Sequence, residues 1–265
     1  MTLSDSASIN QVVAITRPSP RVACVTINRP NARNAIDGLV TQALHNAVRM
    51  TELDPDIWVV VLTGSGDVAF SAGADLKEVS RGNRASLCTD AGFAGFVDAD
   101  RRKPWIAAVE GLALAGGCEI ALACDLIVAS EGASFALPEV SRGLIAAAGG
   151  LYRLPRAIPR VIATELILTA GRLSATRAAA LGMVNDIVPT GQALTRAVEL
   201  AVVICAQAPL AVRESLAIVR RAADEDQKYL QTMSLEAQDR LSKTSDFAEG
   251  PRSFMEKRTA RWTAT

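Results

Sequence analysis

Residues 103–150 read KPWIAAVEGLALAGGCEIALACDLIVASEGASFALPEVSRGLIAAAGG, and the order of apolar run, glycine turn and helix within them decides the fold. Residues 105–109 are apolar between Pro104 and Gly111, which predicts a buried strand that ends in a turn. A helix begins at Leu114-Ala115-Gly116-Gly117. Glycine lets backbone N–H groups come close to a ligand, and the first N–H groups of a helix have no partner within it, so this turn suits an anion. Glu119 falls in the first helical turn beside those N–H groups, while Ile120, Leu122 and Ala123 carry the helix into the core as far as Asp125. Leu126-Ile127-Val128 reads as the next buried strand. After Ala133-Ser134-Phe135-Ala136 the chain turns at Pro138 and sets a second acid, Glu139, at a strand end beside a loop rich in Gly and Ala. Two carboxylates therefore flank one glycine turn.

The run from Gly111 to Glu119, the CDLIVAS that follows, and a Pro138-Glu139 pair twenty residues after the first acid resemble the crotonase, or enoyl-CoA hydratase/isomerase, superfamily. The resemblance covers nearly the whole chain. It implies an α/β fold, a crotonase-like spiral of ββα units with a C-terminal helical oligomerisation subdomain. It also implies an acyl-CoA substrate, no cofactor beyond the CoA of that substrate, and a homo-trimer or dimer of trimers.

With 265 residues and 49% hydrophobic content the chain can bury a large core, as one domain or one domain with an appended subdomain. Lys plus Arg and Asp plus Glu balance at 28 each, so no global field draws nucleic acid or an anionic membrane. The five cysteines form no C-x-x-C pair and read as reduced core thiols. MTLSDSASIN at the start is polar, and no later run reaches the ~18 apolar residues that span a bilayer, so a soluble cytoplasmic protein is expected. The single histidine, His45, sits in the helical pattern of Ile36, Leu39, Val40, Ala43, Leu44, Ala47 and Val48. It reads as a surface or half-buried helix residue, which leaves no Ser-His-Asp triad and no metal site. Neither a Walker A sequence nor a G-x-G-x-x-G after a strand is present.

Residues 11–16 and 22–27 predict a hairpin joined at Arg17-Pro18-Ser19-Pro20. Arg29-Pro30-Asn31-Ala32-Arg33-Asn34-Ala35 follows. From the residues alone this loop enters the His45 helix with Asn34 as its cap. The resemblance implies the first CoA-binding loop, with Ala32 and Arg33 meeting the adenine and a phosphate, and both readings stand at this point. Residues 57–63 are an unbroken apolar strand, buried on both faces. Ala72-Gly73-Ala74-Asp75-Leu76-Lys77-Glu78 then carries an acid pair with the spacing of a capping box, which starts a helix after Ala74 and leaves the N–H groups of Ala72 to Ala74 facing open space.

Residues 81–89 are polar and expected to be mobile, and 90–101 are expected to form a helix bordering an acyl pocket. Helices are predicted over 159–169 and from Ser174 to Gly182, a strand over 184–188, and four helices from 190 onward. That change of pattern divides the chain into a spiral core, 1–190, and a helical subdomain, 191–265, whose leftover apolar faces suit packing on another subunit.

The family resemblance implies an oxyanion hole from the N–H groups of Ala72 and Gly116. Around it, Gly73, Ala74, Asp75, Leu76, Lys77 and Gly117 contact the CoA thioester, and Phe254 and Lys257 reach the CoA of a neighbouring subunit. An amphipathic end helix explains those last two as well. By the same resemblance Glu119 activates water for attack on C3 of a trans-2-enoyl-CoA and Glu139 protonates C2. Ala146-Ala147 depart from the usual hydratase residues, and the run 149–155 is similar to carnitinyl-CoA dehydratase relatives. A dehydratase of that kind, a Δ3,Δ2-enoyl-CoA isomerase and a non-catalytic acyl-CoA-binding protein are the alternatives.

Overall fold

The computed structural model describes residues 12–265, so the polar leader and the expected strand start at Gln11 lie outside the described residues. Six strands form the larger sheet, in the order Val13–Ser19, Val22–Ile27, Val59–Gly64, Trp105–Val109, Leu126–Ser130 and Asp186–Val188. The first pair is antiparallel and every later pair is parallel. A smaller sheet holds Arg172–Ser174, Ser134–Ala136, Leu112–Leu114 and Ala69–Ser71.

One unit recurs along the chain: a long strand in the larger sheet, a short strand in the smaller one, then a helix. Val59–Gly64, Ala69–Ser71 and Leu76–Ser80 make the first unit, and Trp105–Val109, Leu112–Leu114 and Gly116–Ala123 the second. Leu126–Ser130 and Ser134–Ala136 open the third, which reaches its helix, Gly150–Ala157, only after the short turn Glu139–Arg142. The three short strands lie side by side and parallel, with Ser71 opposite Ala113 and Ala136 opposite Leu114. Their carboxyl ends therefore open on one place.

Alternation along the long strands feeds two cores, as expected for a parallel sheet covered on both faces. Val60, Leu62, Trp105, Ala107 and Ile127 pack toward Val40, Leu44 and Val48 of the helix Gly38–Leu53 and toward Ile120. Val59, Val61, Ile106 and Val128 face the helix Ala193–Cys205, where Ala193, Ala197 and Ala201 recur every fourth residue and let its backbone lie close to the sheet. Helical structure predominates beyond residue 190, and its first helix rests on the sheet itself.

Three local expectations are corrected. The first hairpin turns at Pro20-Arg21 and not at 17–20, with Arg21 taking φ 67. Residues 90–101 contain no helix, because Gly92, Ala94 and Gly95 all take positive φ. A Cβ on Gly95 would stand 2.5 Å from the Cβ of His45, so that segment is pressed against the His45 helix. Residues 81–89 are structured as a short 3-10 turn, Asn83–Leu87, and a strand, Cys88–Thr89, that pairs with Gly92–Phe93. No single described helix is long and apolar enough to cross a membrane, and the one adjoining pair that passes by length and composition is bent by 110°.

Candidate active site

At the end of the first short strand, the turn through Gly73 takes φ 82. A Cβ there would stand 2.7 Å from the N of Gly116 and 2.9 Å from the carbonyl oxygen of Leu114, both belonging to the turn of the second unit. Only glycine lets the two turns approach this closely. Gly117 serves the same approach from the other side, since its Cβ would lie 2.1 Å from the carbonyl oxygen of Ser71. Gly116 in turn carries the ring of Phe93, whose Cε1 stands 2.4 Å from where a Cβ would be. Phe93, in the segment expected to be a helix, is thus a wall of the site that the sequence did not reveal.

The hydrogen bonds of these turns decide which N–H groups are free. Ala72 is not: its N–H donates to the carbonyl oxygen of Arg33 at 2.9 Å, which corrects its assignment as an oxyanion donor. Gly73 N–H donates to Ser71 Oγ at 3.1 Å and Asp75 N–H to Ile36 O at 2.8 Å. Ala74 and Gly116 are left without a partner for their N–H groups among the described residues. Ala74 follows Gly73 directly and Gly116 N lies close beside it, so both donors sit within about 4 Å of one α carbon, that of Gly73.

Asp75 caps the helix Leu76–Ser80 by accepting from Lys77 N–H at 3.1 Å. The capping box does not close, because Glu78 turns away to Arg81 at 3.1 Å and Asn83 at 3.0 Å. The Arg29 guanidinium takes up the second carboxylate oxygen of Asp75 at 3.1 Å, together with Asp37 at 3.1 Å and the carbonyl of Ala35 at 2.7 Å. Asp37, and not Asn34, is the N-cap of the helix Gly38–Leu53. Asn34 is wholly buried at φ 53, with its Nδ2 donating to Ser65 O at 3.0 Å and Ala69 O at 2.7 Å and its Oδ1 accepting from Arg29 N–H at 2.9 Å. This lock places the Arg33 carbonyl on Ala72. Asn34→Ala is expected to lose about 2–4 kcal/mol in urea denaturation, because several buried backbone groups lose their partner at once. A loss under about half a kcal/mol would count against that role.

Ala32 and Arg33 end the 3-10 turn Pro30–Ala32, and Arg33, at φ 52, projects an exposed side chain. Leu76 and Lys77 are exposed on the helix after Gly73. Neither Arg33 nor Lys77 makes an ion pair among the described residues. Phe254 is 85% exposed on the helix Ser245–Met255, Lys257 is exposed just beyond it, and no hydrogen bond or ion pair ties either to these turns.

Glu119 is 3% exposed, and its Oε1 accepts from the N–H of Gly150 at 2.9 Å. Burial pushes its carboxyl up to about 7; the Gly150 N–H opposes the rise, the charge of Glu139 adds to it, and the Ala148 N–H and Arg153 oppose it more weakly. Glu139 is also raised by burial, against the pull of its own N–H and of Arg142, and its Oε2 is buried with no hydrogen-bond partner among the described residues. Cys118, directly before Glu119 in sequence and buried, has its thiol pushed far up by burial and by both carboxylates, so it is inert. Among the described residues no group of three His, Cys, Asp or Glu is placed to hold a metal ion. Chemically the place offers two free amide donors close together and two carboxyls, one buried and one half-buried.

Residues 18–265 match the family described as enoyl-CoA hydratase/isomerase. The chain is 37% identical over 260 residues to the carnitinyl-CoA dehydratase of Salmonella enteritidis, covering 96% of this chain and 99% of that protein. The crystal structure of an enoyl-CoA hydratase from Mycobacterium tuberculosis superposes with a TM-score of 0.92 at 41% identity, over 97% of this chain and 100% of that one. That of a carnitinyl-CoA hydratase from Mycobacterium avium gives 0.76 at 43% identity, over 97% and 100%.

Proposed function

We propose that this chain, which belongs to the enoyl-CoA hydratase/isomerase family, is a hydro-lyase that adds water across the double bond of a trans-2-enoyl-CoA thioester and removes it in reverse. The observation that carries the reading is the meeting of two free amides, Ala74 and Gly116, around Gly73, with Glu119 one helical turn beyond. A thioester carbonyl oxygen lying between those N–H groups gains enolate character, and one such donor is worth about 3–4 kcal/mol of barrier. Polarisation draws electrons from C3. Glu119, ionised, takes a proton from water as its oxygen bonds to C3; Glu139 delivers a proton to C2, and proton exchange with solvent resets the pair. The reaction draws on no cofactor.

Arg33 and Lys77, exposed on either side of the Gly73 turn and in no ion pair among the described residues, suit the phosphates of CoA, with Ala32, Asp75, Leu76 and Gly117 lining the path. Exposed Val203, Phe247, Phe254 and Met255 support assembly into the trimer or dimer of trimers, in which Phe254 and Lys257 would meet the CoA of a neighbour. The spiral core 1–190 holds the site, the helices of 191–265 build that assembly, and the enzyme is cytoplasmic.

Loss of enoyl absorbance on mixing with crotonyl-CoA is the direct test: hydration bleaches it and binding alone leaves it. The kcat/KM profile is expected to fall on the acid side with a midpoint near 7, because the base must be ionised and burial holds its carboxyl there. A midpoint near the ordinary carboxylate value would remove Glu119 as the base. A second reading, a carnitinyl-CoA dehydratase, is favoured by the run 149–155 and by the relatives of that name. Comparing crotonyl-CoA with a trimethylammonium-bearing enoyl-CoA at equal concentration separates the two.

A further inference from the structure

Resting on that reading, we propose that Arg153 is the positioning residue for Glu119, tying the loop that anchors its carboxylate to the wall that carries Phe93. Arg153 lies in the first turn of the helix Gly150–Ala157, whose leading N–H is the Gly150 donor to Glu119. Its Nη1 folds back to donate to the carbonyl of Ala148 at 2.9 Å. Its Nη2 reaches across the site to donate to Val97 O at 2.6 Å and to the Asp98 carboxylate at 3.3 Å. Val97 N–H in turn donates to Phe93 O at 3.3 Å, and the Phe93 ring covers Gly116.

A closed circuit results: Glu119 to Gly150, Arg153 to Val97, Phe93 to Gly116, and back along the helix Gly116–Ala123. The fork is needed for it. A lysine ammonium keeps the charge but lacks the rigid planar fork whose two separate nitrogens reach Ala148 O and Val97 O. Gly149 is shaped for the same guanidinium, since at φ 114 a Cβ there would stand 1.8 Å from Nη1. The Tyr152 ring completes the seat, 5.1 Å from the Arg153 Cζ.

The charged and titratable groups acting on Glu119 are Glu139, from the turn after Pro138, and Arg153, from the helix beyond; Cys118 stands beside it on its own helix. Glu139 opposes ionisation of Glu119 and Arg153 favours it. Removing the guanidinium should therefore do two things at once: loosen the Gly150 anchor and make the base harder to ionise.

The test is steady-state hydration by Arg153→Met, Arg153→Lys and Asp98→Asn against wild type, each as a full pH profile. Arg153→Met is expected to lose about tenfold or more in kcat with KM within threefold, and to move the acid limb of kcat/KM upward by about half a unit to one unit. Arg153→Lys keeps the charge, so the limb stays near wild type while kcat remains low. Asp98→Asn leaves both carbonyl ties in place and is expected to keep wild-type kcat and limb. Wild-type limb and kcat in Arg153→Met, or identical behaviour of the Met and Lys variants, overturns the proposal. Should Arg153→Met fail to fold, Arg153→Lys and Asp98→Asn decide: equal, wild-type kcat in both overturns it. If wild type hydrates no enoyl-CoA, the functional reading itself fails. The positioning is then read without turnover: the stability gap between Glu119→Gln and wild type, from pH 5 to pH 8, must widen in an Arg153→Met background.

Discussion

Glutamine at position 119 is expected to cut turnover by about two to four orders of magnitude and, at pH 8, to make the protein more stable than wild type. The loss follows from removing the group that takes the proton from water, which glutamine cannot do. The gain follows from burial. Folding raises the Glu119 carboxyl from 4.5 to about 7, so its contribution to stability is fully present below pH 4.5 and is lost as pH rises through 7. At 1.36 kcal/mol per unit, the buried charge then disfavours folding by about 3 kcal/mol. Glutamine accepts the Gly150 N–H through its amide oxygen and carries no charge. Urea midpoints of the two proteins should nearly coincide at pH 4.5 and separate by pH 8, with the variant higher. Equal midpoints at both pH values would show that the carboxylate is better solvated than its 3% exposure implies.

The strand-turn-helix units were legible because their signals are local: apolar runs, glycine turns and the acid in the first turn of a helix all lie within a few residues of one another, whereas the ββα spiral rested on the family resemblance. The Gly116 turn, Glu119 and Glu139 are such features, and the fold that the resemblance implied is the fold of the superposed hydratases. The choice between Ala72 and Ala74 was not legible. It depends on whether a distant carbonyl, that of Arg33, reaches one N–H or the other, and that carbonyl is placed by the buried Asn34. The anchor of Glu119 was hidden for another reason. The helix Gly150–Ala157 follows Gly149, starts on Gly150, has no side-chain cap and contains Pro155, so its start and its interior both carried signals against a helix. Its packing on the helix Gly116–Ala123 overrode them. In the segment 90–101 the error ran the other way, since an apolar spacing that suits a helix was broken by Gly92 and Gly95 pressed against neighbours. What sequence concealed in each case was a contact between segments far apart along the chain.

Gly73→Ala is expected to reduce kcat by about two to three orders of magnitude while leaving most of the protein folded. Two separate penalties meet at this residue. An alanine at φ 82 sits in the left-handed region, a strain of about 1–2 kcal/mol. That strain alone would not touch catalysis. The second penalty would: the new methyl group would lie 2.7 Å from Gly116 N, 2.9 Å from Leu114 O and 3.1 Å from the Cβ of Ala115, too close to all three. Backbone must give way, so the turns separate and the methyl group covers the N–H of Gly116, one of the two free donors. Losing one donor of this kind raises the barrier by about 3–4 kcal/mol, mostly in the transition state, so kcat should fall further than KM rises. Gly82→Ala supplies the control. It takes the same strain, at φ 80, but its methyl group would meet nothing within 4 Å. Its stability should drop by a similar small amount with kcat unchanged, so that the difference between the two variants isolates the covered amide. Turnover by Gly73→Ala within about threefold of Gly82→Ala would mean that the carbonyl oxygen does not bind between Ala74 and Gly116, and the proposed polarisation of the thioester would lose its structural basis.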